Sequence, residues 1–328
     1  MHYPDSVFKV VTWNRRMEKT EFPEEYIVYQ KGSELGNRIK KFFNIFGYKS
    51  FVKDVINQEQ PDVIIASHWD SLFVVPSKNR KKHFVIYDNI DVPEGNVILR
   101  SLERIMEKVS IYKADLIIHA SRFFKEIYSN YRINQIVIEN KPIFEKVTRT
   151  DMLSCPIKIS YIGNIRYVET LMPLVNAVEH DKRFQLDFYG GGPDLEKMKR
   201  YSSDRIVFHG RYDYNDVASF YLSSDLIWAA YPNKDFNVKY AISNKFHESM
   251  CLDTPSIFAN ETKLGDFVEA NKLGFVVNPY NIEDVKRLLN NIASNPEIIA
   301  EVRNSIHGYL KTETTWEQDM NVLYKFIE

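Results

Sequence analysis

The chain has 328 residues, 44% of them hydrophobic and 27% charged, and its formal net charge is −1. This length exceeds a single domain of about 100–200 residues, so two separate cores are expected, and the near-average composition excludes disordered and fibrous classes. The two cysteines are too few for a disulfide framework and are expected to be reduced thiols. No apolar run approaches the ~20 residues of a membrane span, and no signal peptide is recognisable, so we expect a cytoplasmic protein.

Short β-rich segments alternate with helical patterns along the chain, which is typical of βαβ units around parallel sheets. In the first half the predicted strands are 7–13, 62–67, 83–88, 115–120 and 135–140. Residues 141–155 contain Pro142 and show no strong periodicity, so they are predicted to form a connector with the domain boundary near residue 150.

A second series of strands follows the connector. These predicted strands are 156–163, 185–190, 205–210, 225–230, 255–259 and 274–278. Apolar spacing predicts helices over 169–178, 281–295 and 297–310, and a final helix from near Thr315 with Trp316, Met320, Leu323 and Ile327 on one side. The sequence therefore predicts an α/β chain with two parallel sheets.

Charge is distributed unevenly between the two halves. Residues 1–150 carry a net charge of +5, and the remainder carries −6. Positive charge is concentrated at 78–82 and in a helical segment whose basic and aromatic residues are interleaved: Arg38, Lys40, Lys41, Phe42, Phe43 and Phe46. This segment is either a solvated helix face above a core face or a surface for an anionic membrane or a lipid-linked acceptor.

Ligands of open parallel sheets bind outside the carboxyl ends of the strands, so the residues after each strand are the candidates for ligand contacts. Arg166 lies in the turn 163-GNIRY-167 after the first strand of the second series. Its guanidinium is suited to a diphosphate, or it is an ordinary surface arginine on a first helical turn. The following strand leads into Gly190, Gly191 and Gly192, which let backbone amides approach a ligand closely. They also serve any tight turn.

The segment 231–260 combines a polar loop, the helical pattern 243-SNKFHESM-250 and a strand. Ser243 or Asn244 is predicted to cap the helix, with Lys245 in its first turn and Glu248 one turn later. A lysine near the positive end of a helix is locally unfavourable, which favours an anionic ligand. A paired Lys245 and Glu248 is the alternative.

These motifs resemble the retaining GT-B glycosyltransferases of family 4 over most of the chain. The resemblance is carried by YIGNIR, YGGGPDLEKM, the VFHGRYDYNDVASFYLSSDLIW run, NKFHESMCLDTPSI, LGFVVNP and TTWEQDMNVLY in the second half, and by PDVIIASHWD and 103–121 in the first. It implies two Rossmann-like domains facing across a cleft: residues 1–150 for the acceptor and 151–310 for the nucleotide-sugar. Residues 311–328 would form a helix that returns to the first domain, or, as the alternative, a surface helix that completes the second core.

The family's Glu-x7-Glu motif aligns with Tyr240 and Glu248, so the resemblance implies ribose binding at Glu248 and altered sugar contacts at Tyr240. It also implies diphosphate binding by Arg166 and Lys245 and a base-side loop around Gly190 to Gly192. The residues that would complete the donor site by resemblance are Gly163, Asn164, Arg211 and Asn244.

On the acceptor side, many relatives have a histidine where this chain has Ile90. Asp88 and Asp91 are expected to orient the acceptor hydroxyl or to cap a turn, and His68 is a further candidate with a structural role as its alternative. Only six residues precede the first predicted strand, where relatives usually have a further strand, turn and helix, so a reduced N-terminal sheet or a late start is expected.

The resemblance implies sugar transfer from a UDP- or GDP-linked donor to a glycan or lipid-linked acceptor, with retention, in bacterial surface polysaccharide synthesis. No Asp-x-Asp is present, so metal independence is expected, and no cofactor or nucleic-acid partner is expected. Two alternatives remain: a catalytically silent relative that binds a nucleotide-sugar or a partner, and a nucleotide-sugar epimerase.

Overall fold

The computed structural model describes residues 5–15, 17, 21–32, 38–77, 83–93, 97–149 and 152–327, without the side chains of 38–43 and 97–99. The chain divides into two compact units. The first extends to Ile118 and includes Arg132–Ile136 and Ile327, and the second comprises His119–Tyr131 and Val137–Phe326. The basic segment 78–82 and the side chains of Arg38, Lys40, Lys41, Phe42 and Phe43 lie outside the described residues.

The first unit contains two small sheets. Its strands are β1 (Val10–Asn14), β2 (Tyr26–Gln30), β3 (Val63–Ser67), β4 (Phe84–Asn89), β5 (Leu116–His119) and β6 (Asn134–Val137). Its helices are α1 (Arg38–Glu59), α2 (His68–Val74) and α3 (Val97–Ile111). β1 pairs with β2 in parallel, and a four-stranded sheet has the order β3-β4-β5-β6. β2 and α2 were not predicted, because neither has a strong hydrophobic period of its own.

The core of the first unit forms where apolar strand residues face apolar helix residues. β4 buries Val85, Ile86 and Tyr87, and β5 is buried along its whole length. Such continuous apolar runs are typical of parallel strands covered on both faces. Ile45 and Val52 of α1 pack with Val74 of α2 in one cluster.

The second unit is built on one six-stranded sheet with the order β12-β11-β10-β7-β8-β9. The strands are β7 (Ile157–Ile162), β8 (Phe184–Tyr189), β9 (Ile206–Gly210), β10 (Leu226–Ala229), β11 (Ser256–Ala259) and β12 (Phe275–Val277). All neighbouring strands pair in parallel. β8 and β9 extend the sheet on one side of β7, and β10, β11 and β12 extend it on the other side.

Ten α-helices are described in the second unit. They are α4 (Phe124–Tyr128), α5 (Val168–Val178), α6 (Leu195–Met198), α7 (Val217–Leu222), α8 (Phe236–Tyr240), α9 (Asn244–Cys251), α10 (Lys263–Asn271), α11 (Ile282–Ser294), α12 (Glu297–Leu310) and α13 (Trp316–Ile327). The predicted limits of α5, α11 and α12 agree with these within one residue. α13 begins next to Thr315, as predicted, and buries Leu323.

The predicted connector has neither helix nor strand in its described parts, 141–149 and 152–155. The two parallel-sheet units confirm the predicted α/β class with two Rossmann-like domains. The boundary near residue 150 and the return of residues 311–328 to the first domain stay predictions. In the described part of the chain, no helix is both long enough and apolar enough to cross a membrane.

Candidate functional site

The candidate site lies at the point where the strand order of the second unit reverses. β7 lies between β8, the next strand along the chain, and β10, which comes two strands later. The chain therefore leaves β7 toward one side of the sheet and later continues on the other side. Segments leaving the carboxyl ends of two such strands diverge and open a crevice, which is the usual ligand position in this type of sheet. The turn with Arg166 follows β7, and Tyr231 follows β10.

Lys245 is brought to this edge by the first turn of α9. Ser243 is the N-cap, with its hydroxyl accepting from the backbone N–H of Lys245, so the first of the two predicted caps is confirmed. The Lys245 side chain is buried, and its Nζ donates to the Tyr231 hydroxyl at 2.6 Å. Nζ also lies 5.4 Å from the ring centroid of Tyr161. A buried ammonium whose neighbours are aromatic rings and a phenol is well placed to attract an anion.

The pKa of Tyr231 reflects the positive potential around Lys245. Burial raises the pKa of the Tyr231 phenol, but the charge and hydrogen bond of Lys245 and the charge of Arg166 outweigh it and hold the pKa below its usual value. Burial raises the pKa of the neighbouring Tyr161, and the charge of Arg166 opposes that rise. Lys245 and Arg166 therefore act on the same small volume, although their sequence positions are far apart.

Glu248, one turn after Lys245, is held by two tyrosines. Its Oε2 accepts from the buried Tyr221 hydroxyl at 2.7 Å, and its Oε1 accepts from the half-exposed Tyr214 hydroxyl at 3.1 Å. Burial, followed by the Glu248 charge, raises the pKa of Tyr214 to about 12. Both phenols therefore keep their protons and donate, which leaves lone pairs on both carboxylate oxygens for a ligand. The alternative of a Lys245–Glu248 pair is not what the structure has, since each contacts tyrosine.

Arg166 is exposed at the start of α5. Its guanidinium lies 4.6 Å from the ring centroid of Tyr167, the N-cap residue, whose φ of 68° is left-handed. A non-glycine residue with such a φ is uncommon and is found at functional turns. The stacked guanidinium keeps its hydrogen-bond donors available at the helix N-terminus, where an anion is favoured.

The glycines of the site let two strand-end loops pack together. A Cβ at Gly190 would overlap the carbonyl of Gly163, and a Cβ at Gly192 would overlap the backbone of Ile165 and the side chain of Asn164. Both glycines have positive φ. The Ile165 N–H donates to the Gly191 carbonyl at 2.7 Å. Their first role is therefore close backbone packing, and their contact with a nucleotide base stays a prediction.

Three further predicted residues lie in the segments that follow β9 and β10. Arg211 is exposed after β9 and packs over Gly191. Asn244 is exposed in the first turn of α9. Tyr240 ends α8, and its carbonyl accepts from the Ser121 hydroxyl at 2.6 Å. Their roles toward a ligand stay predictions.

The opposite face of α9 is held by a buried ionic network. Arg122 donates to both oxygens of Glu139 at 2.9 and 2.6 Å, and His247 of α9 lies 3.4 Å from Glu139. Burial by itself would raise the pKa of Glu139, but the hydrogen bonds and charges of Arg122 and His247 hold it at about 2. Arg122 also pairs with Glu313 at 3.1 Å. This network fixes the helix that carries Lys245 and Glu248.

A cavity of about 150 Å³ borders the same opposite face of α9. Its lining comes from the connector, from α9 and from the segment around the start of α13, including Lys141, His247 and Trp316. Lys245 and Glu248 are not part of that lining, so the candidate site is the edge of the sheet and not this cavity.

The acceptor-side residues predicted in the first unit lie at the carboxyl ends of β3 and β4. Ser67 and Asp88 pair across these strands, and the Ser67 hydroxyl donates to Asp88 at 3.0 Å. His68, with φ 68°, begins α2 and acts electrostatically on Asp88. Burial raises the pKa of Asp88, with Ser67 and His68 opposing it. Asp91 follows β4 and is half-buried. The structure thus brings His68 and Asp88 together.

Within the described residues, no group of three or more histidines, cysteines, aspartates or glutamates could hold a metal ion. Sequence reasoning missed the tyrosines that build the site: Tyr161, Tyr214, Tyr221 and Tyr231. Tyr161 lies in β7, Tyr214 between β9 and α7, Tyr221 in α7 and Tyr231 after β10, so no common spacing or position in the sequence marks them.

The family model for glycosyl transferases group 1 matches residues 156–295, which is less than half of the chain. No curated protein sequence matches significantly. Similar solved structures include sucrose-phosphate synthase from Thermosynechococcus elongatus, with 16% identity over 97% of this chain and 88% of that one and a TM-score of 0.73.

Two further structures have similar coverage. HepE of Anabaena in complex with UDP has 12% identity over 98% of this chain and 99% of that one, with a TM-score of 0.69. The lipopolysaccharide outer core galactosyltransferase WaaB has 16% identity over 92% of this chain and 85% of that one, with a TM-score of 0.59. At these identities the likeness establishes the fold. Residues 156–295 thus match the model of glycosyl transferases group 1, on a chain with the two Rossmann-like domains of the GT-B fold.

Proposed function

We propose that this chain is a glycosyltransferase that moves a sugar, of hexosyl type, from a nucleotide-sugar to a glycan or lipid-linked acceptor. The observation that carries the proposal is the convergence of Lys245, Glu248 and Arg166 at the switch point of a group 1 domain. HepE, a protein of the same fold, was crystallised with UDP and with UDP and glucose.

The donor diphosphate would bind between Lys245 and Arg166. Negative charge grows on the departing diphosphate as the bond from the anomeric carbon to the phosphate oxygen breaks, so two preorganised cations stabilise the transition state more than the bound donor. Glu248 would accept hydrogen bonds from the ribose hydroxyls, with the oxygen lone pairs that Tyr214 and Tyr221 leave available. With both cations supplied by side chains, the reaction would proceed without a metal ion and without a cofactor.

Retention would follow from departure and attack on the same face of the sugar. The acceptor oxygen forms the new bond to the anomeric carbon, and its proton passes to the departing phosphate oxygen. In the first unit His68 and Asp88, with Asp91, would orient the acceptor hydroxyl. Lipid-linked or polymeric glycan of the bacterial surface is the acceptor class we favour, which would place the chain in the cytoplasm at the inner membrane face. WaaB, by name a lipopolysaccharide core galactosyltransferase, supports this class.

A screen of UDP- and GDP-sugars for thermal stabilisation, followed by product analysis with the stabilising donor and acceptor glycans, tests the proposal. We expect one donor to stabilise the chain and to yield a product with retained anomeric configuration, unchanged by EDTA. Stabilisation without transfer would instead support a nucleotide-sugar-binding subunit, an alternative motivated by Tyr240 in place of the first glutamate of the motif. Conversion of the donor without any acceptor would support an epimerase.

A further inference from the structure

Tyr231 follows β10 and lies beside the ammonium of Lys245. Its hydroxyl accepts from Lys245 Nζ at 2.6 Å, and Nζ lies 5.2 Å from the centroid of its ring. A Cβ at Gly163, directly after β7, would lie 3.2 Å from the same Nζ. The phenol and the ammonium therefore lie together at the ends of β7 and β10, inside the candidate donor site.

The Tyr231 oxygen accepts two hydrogen bonds, but its own proton is unused. Besides Lys245, the Ser243 hydroxyl donates to this oxygen. A phenol oxygen accepts through its lone pairs and has one proton to donate. Among the residues that the structure describes, none accepts a hydrogen bond from the Tyr231 O–H.

Other tyrosines of the site donate their protons within the protein. The Tyr161 O–H donates to a backbone carbonyl at 2.7 Å. The O–H groups of Tyr221 and Tyr214 donate to Glu248 at 2.7 and 3.1 Å. A hydroxyl removed from water is normally satisfied in both its donor and its acceptor capacity. Since Tyr231 is half-buried, its unused proton points to an acceptor on a bound ligand.

The surroundings of Tyr231 make its O–H a strong donor toward an anion. Burial raises the pKa of the phenol, but Lys245, Ser243 and Arg166 hold it below its usual value. A more acidic O–H forms a stronger hydrogen bond to a negatively charged oxygen. The groups that face this phenol are two cations, one hydroxyl and three further phenols: Lys245, Arg166, Ser243, Tyr161, Tyr212 and Tyr221.

We propose that Tyr231 donates its O–H to an oxygen of the donor diphosphate, next to the ammonium of Lys245. The inference rests on the proposed function and adds a neutral donor to the two cations of that site. Lys245 has three N–H donors, so it keeps its hydrogen bond to Tyr231 and has two left for the diphosphate. Negative charge grows on the departing diphosphate, so the Tyr231 hydrogen bond strengthens as the sugar leaves.

A role limited to positioning Lys245 predicts a different response to pH. An ionised phenol attracts the ammonium more strongly, so it would position Lys245 at least as well. A direct bond to the diphosphate needs the proton and is lost as pH rises through the pKa of Tyr231, which lies below the usual value of about 10. Burial raises the pKa of Tyr161, Tyr212 and Tyr221, so Tyr231 ionises before these three phenols.

The test is isothermal titration calorimetry of UDP with wild type and Tyr231→Phe. At neutral pH, loss of one hydrogen bond to a charged group should raise the dissociation constant about 10- to 100-fold. The matched control is Tyr201→Phe, which removes a phenol exposed elsewhere in the same unit and should bind UDP as wild type does. The fitted stoichiometry measures the folded fraction, so the affinities remain comparable even if Tyr231→Phe is less stable.

The same titrations from about pH 7 to about pH 10 distinguish a direct bond from positioning. The dissociation constant of Tyr231→Phe divided by that of wild type should fall toward one as pH rises. Titration of UDP itself affects both proteins alike and cancels in this ratio. Equal or tighter binding by Tyr231→Phe at neutral pH, or a ratio that stays constant or grows with pH, would overturn the inference and leave the donor site standing. Absence of UDP binding by the wild type would overturn the proposed function and this inference with it.

Discussion

Glu248→Gln is the substitution that most sharply probes the candidate donor site. The Glu248 side chain is buried and accepts from two phenols. An amide in its place can turn its oxygen toward Tyr221 and donate from its nitrogen to the Tyr214 oxygen, so both tyrosines keep a partner. The fold should therefore be retained with a loss of about 1 kcal/mol in unfolding free energy.

The effect on ligand binding should be larger. The carboxylate offers lone pairs on two oxygens to two ribose hydroxyls, whereas the amide offers one neutral acceptor. Hydrogen bonds to charged groups contribute about 1.5–3 kcal/mol each, so losing one and weakening the other should cost ~2–3 kcal/mol. The dissociation constant for UDP should then rise about 30- to 150-fold.

Isothermal titration calorimetry with UDP on wild type and Glu248→Gln measures this difference. Glu196→Gln is the matched control, because Glu196 lies on α6 of the same unit, is exposed and pairs with Lys199. We expect the control to bind UDP as wild type does. If Glu248→Gln stays within about twofold of wild type, Glu248 does not hold the ribose.

Three other predictions concern the donor cation, the network behind α9 and the acceptor side. Arg166→Ala should lower kcat more than it raises KM, because diphosphate charge grows in the transition state; steady-state kinetics with unchanged kcat would remove Arg166 from the reaction. Glu139 has a pKa of about 2 in the folded protein, below its ordinary 4.5, so its stabilisation is full above pH ~4.5 and is lost as pH falls through ~2. Over that pH range, the free energy of unfolding from chemical denaturation should change by up to about 3 kcal/mol less in Glu139→Gln than in wild type. Parallel plots of this free energy against pH for the two proteins would contradict the network. Asp88→Asn should reduce transfer at least tenfold while UDP affinity is unchanged, and a loss of UDP affinity would show that the variant disturbs more than the acceptor side.

The sequence was most informative where chemistry and local structure coincide. The segment 243–250 carries its own N-cap, and Ser243, Lys245 and Glu248 occupy the predicted places on α9. The alternation of strands and helices likewise predicted the sheet of the second unit. Local signals of this kind do not depend on distant parts of the chain.

What could not be predicted depends on contacts between distant segments. Tyr221 of α7 and Tyr214 before it contact Glu248 of α9, although 27 and 34 residues of sequence separate them from it. The network of Arg122, Glu139 and His247 joins three separate segments in the same way.

A crystal structure of the chain with UDP tests the central claim most directly. The account predicts the diphosphate within hydrogen-bond distance of Lys245 Nζ and the Arg166 guanidinium, with the ribose hydroxyls on the Glu248 carboxylate. UDP bound away from these three residues, or in the cavity behind α9, would contradict it.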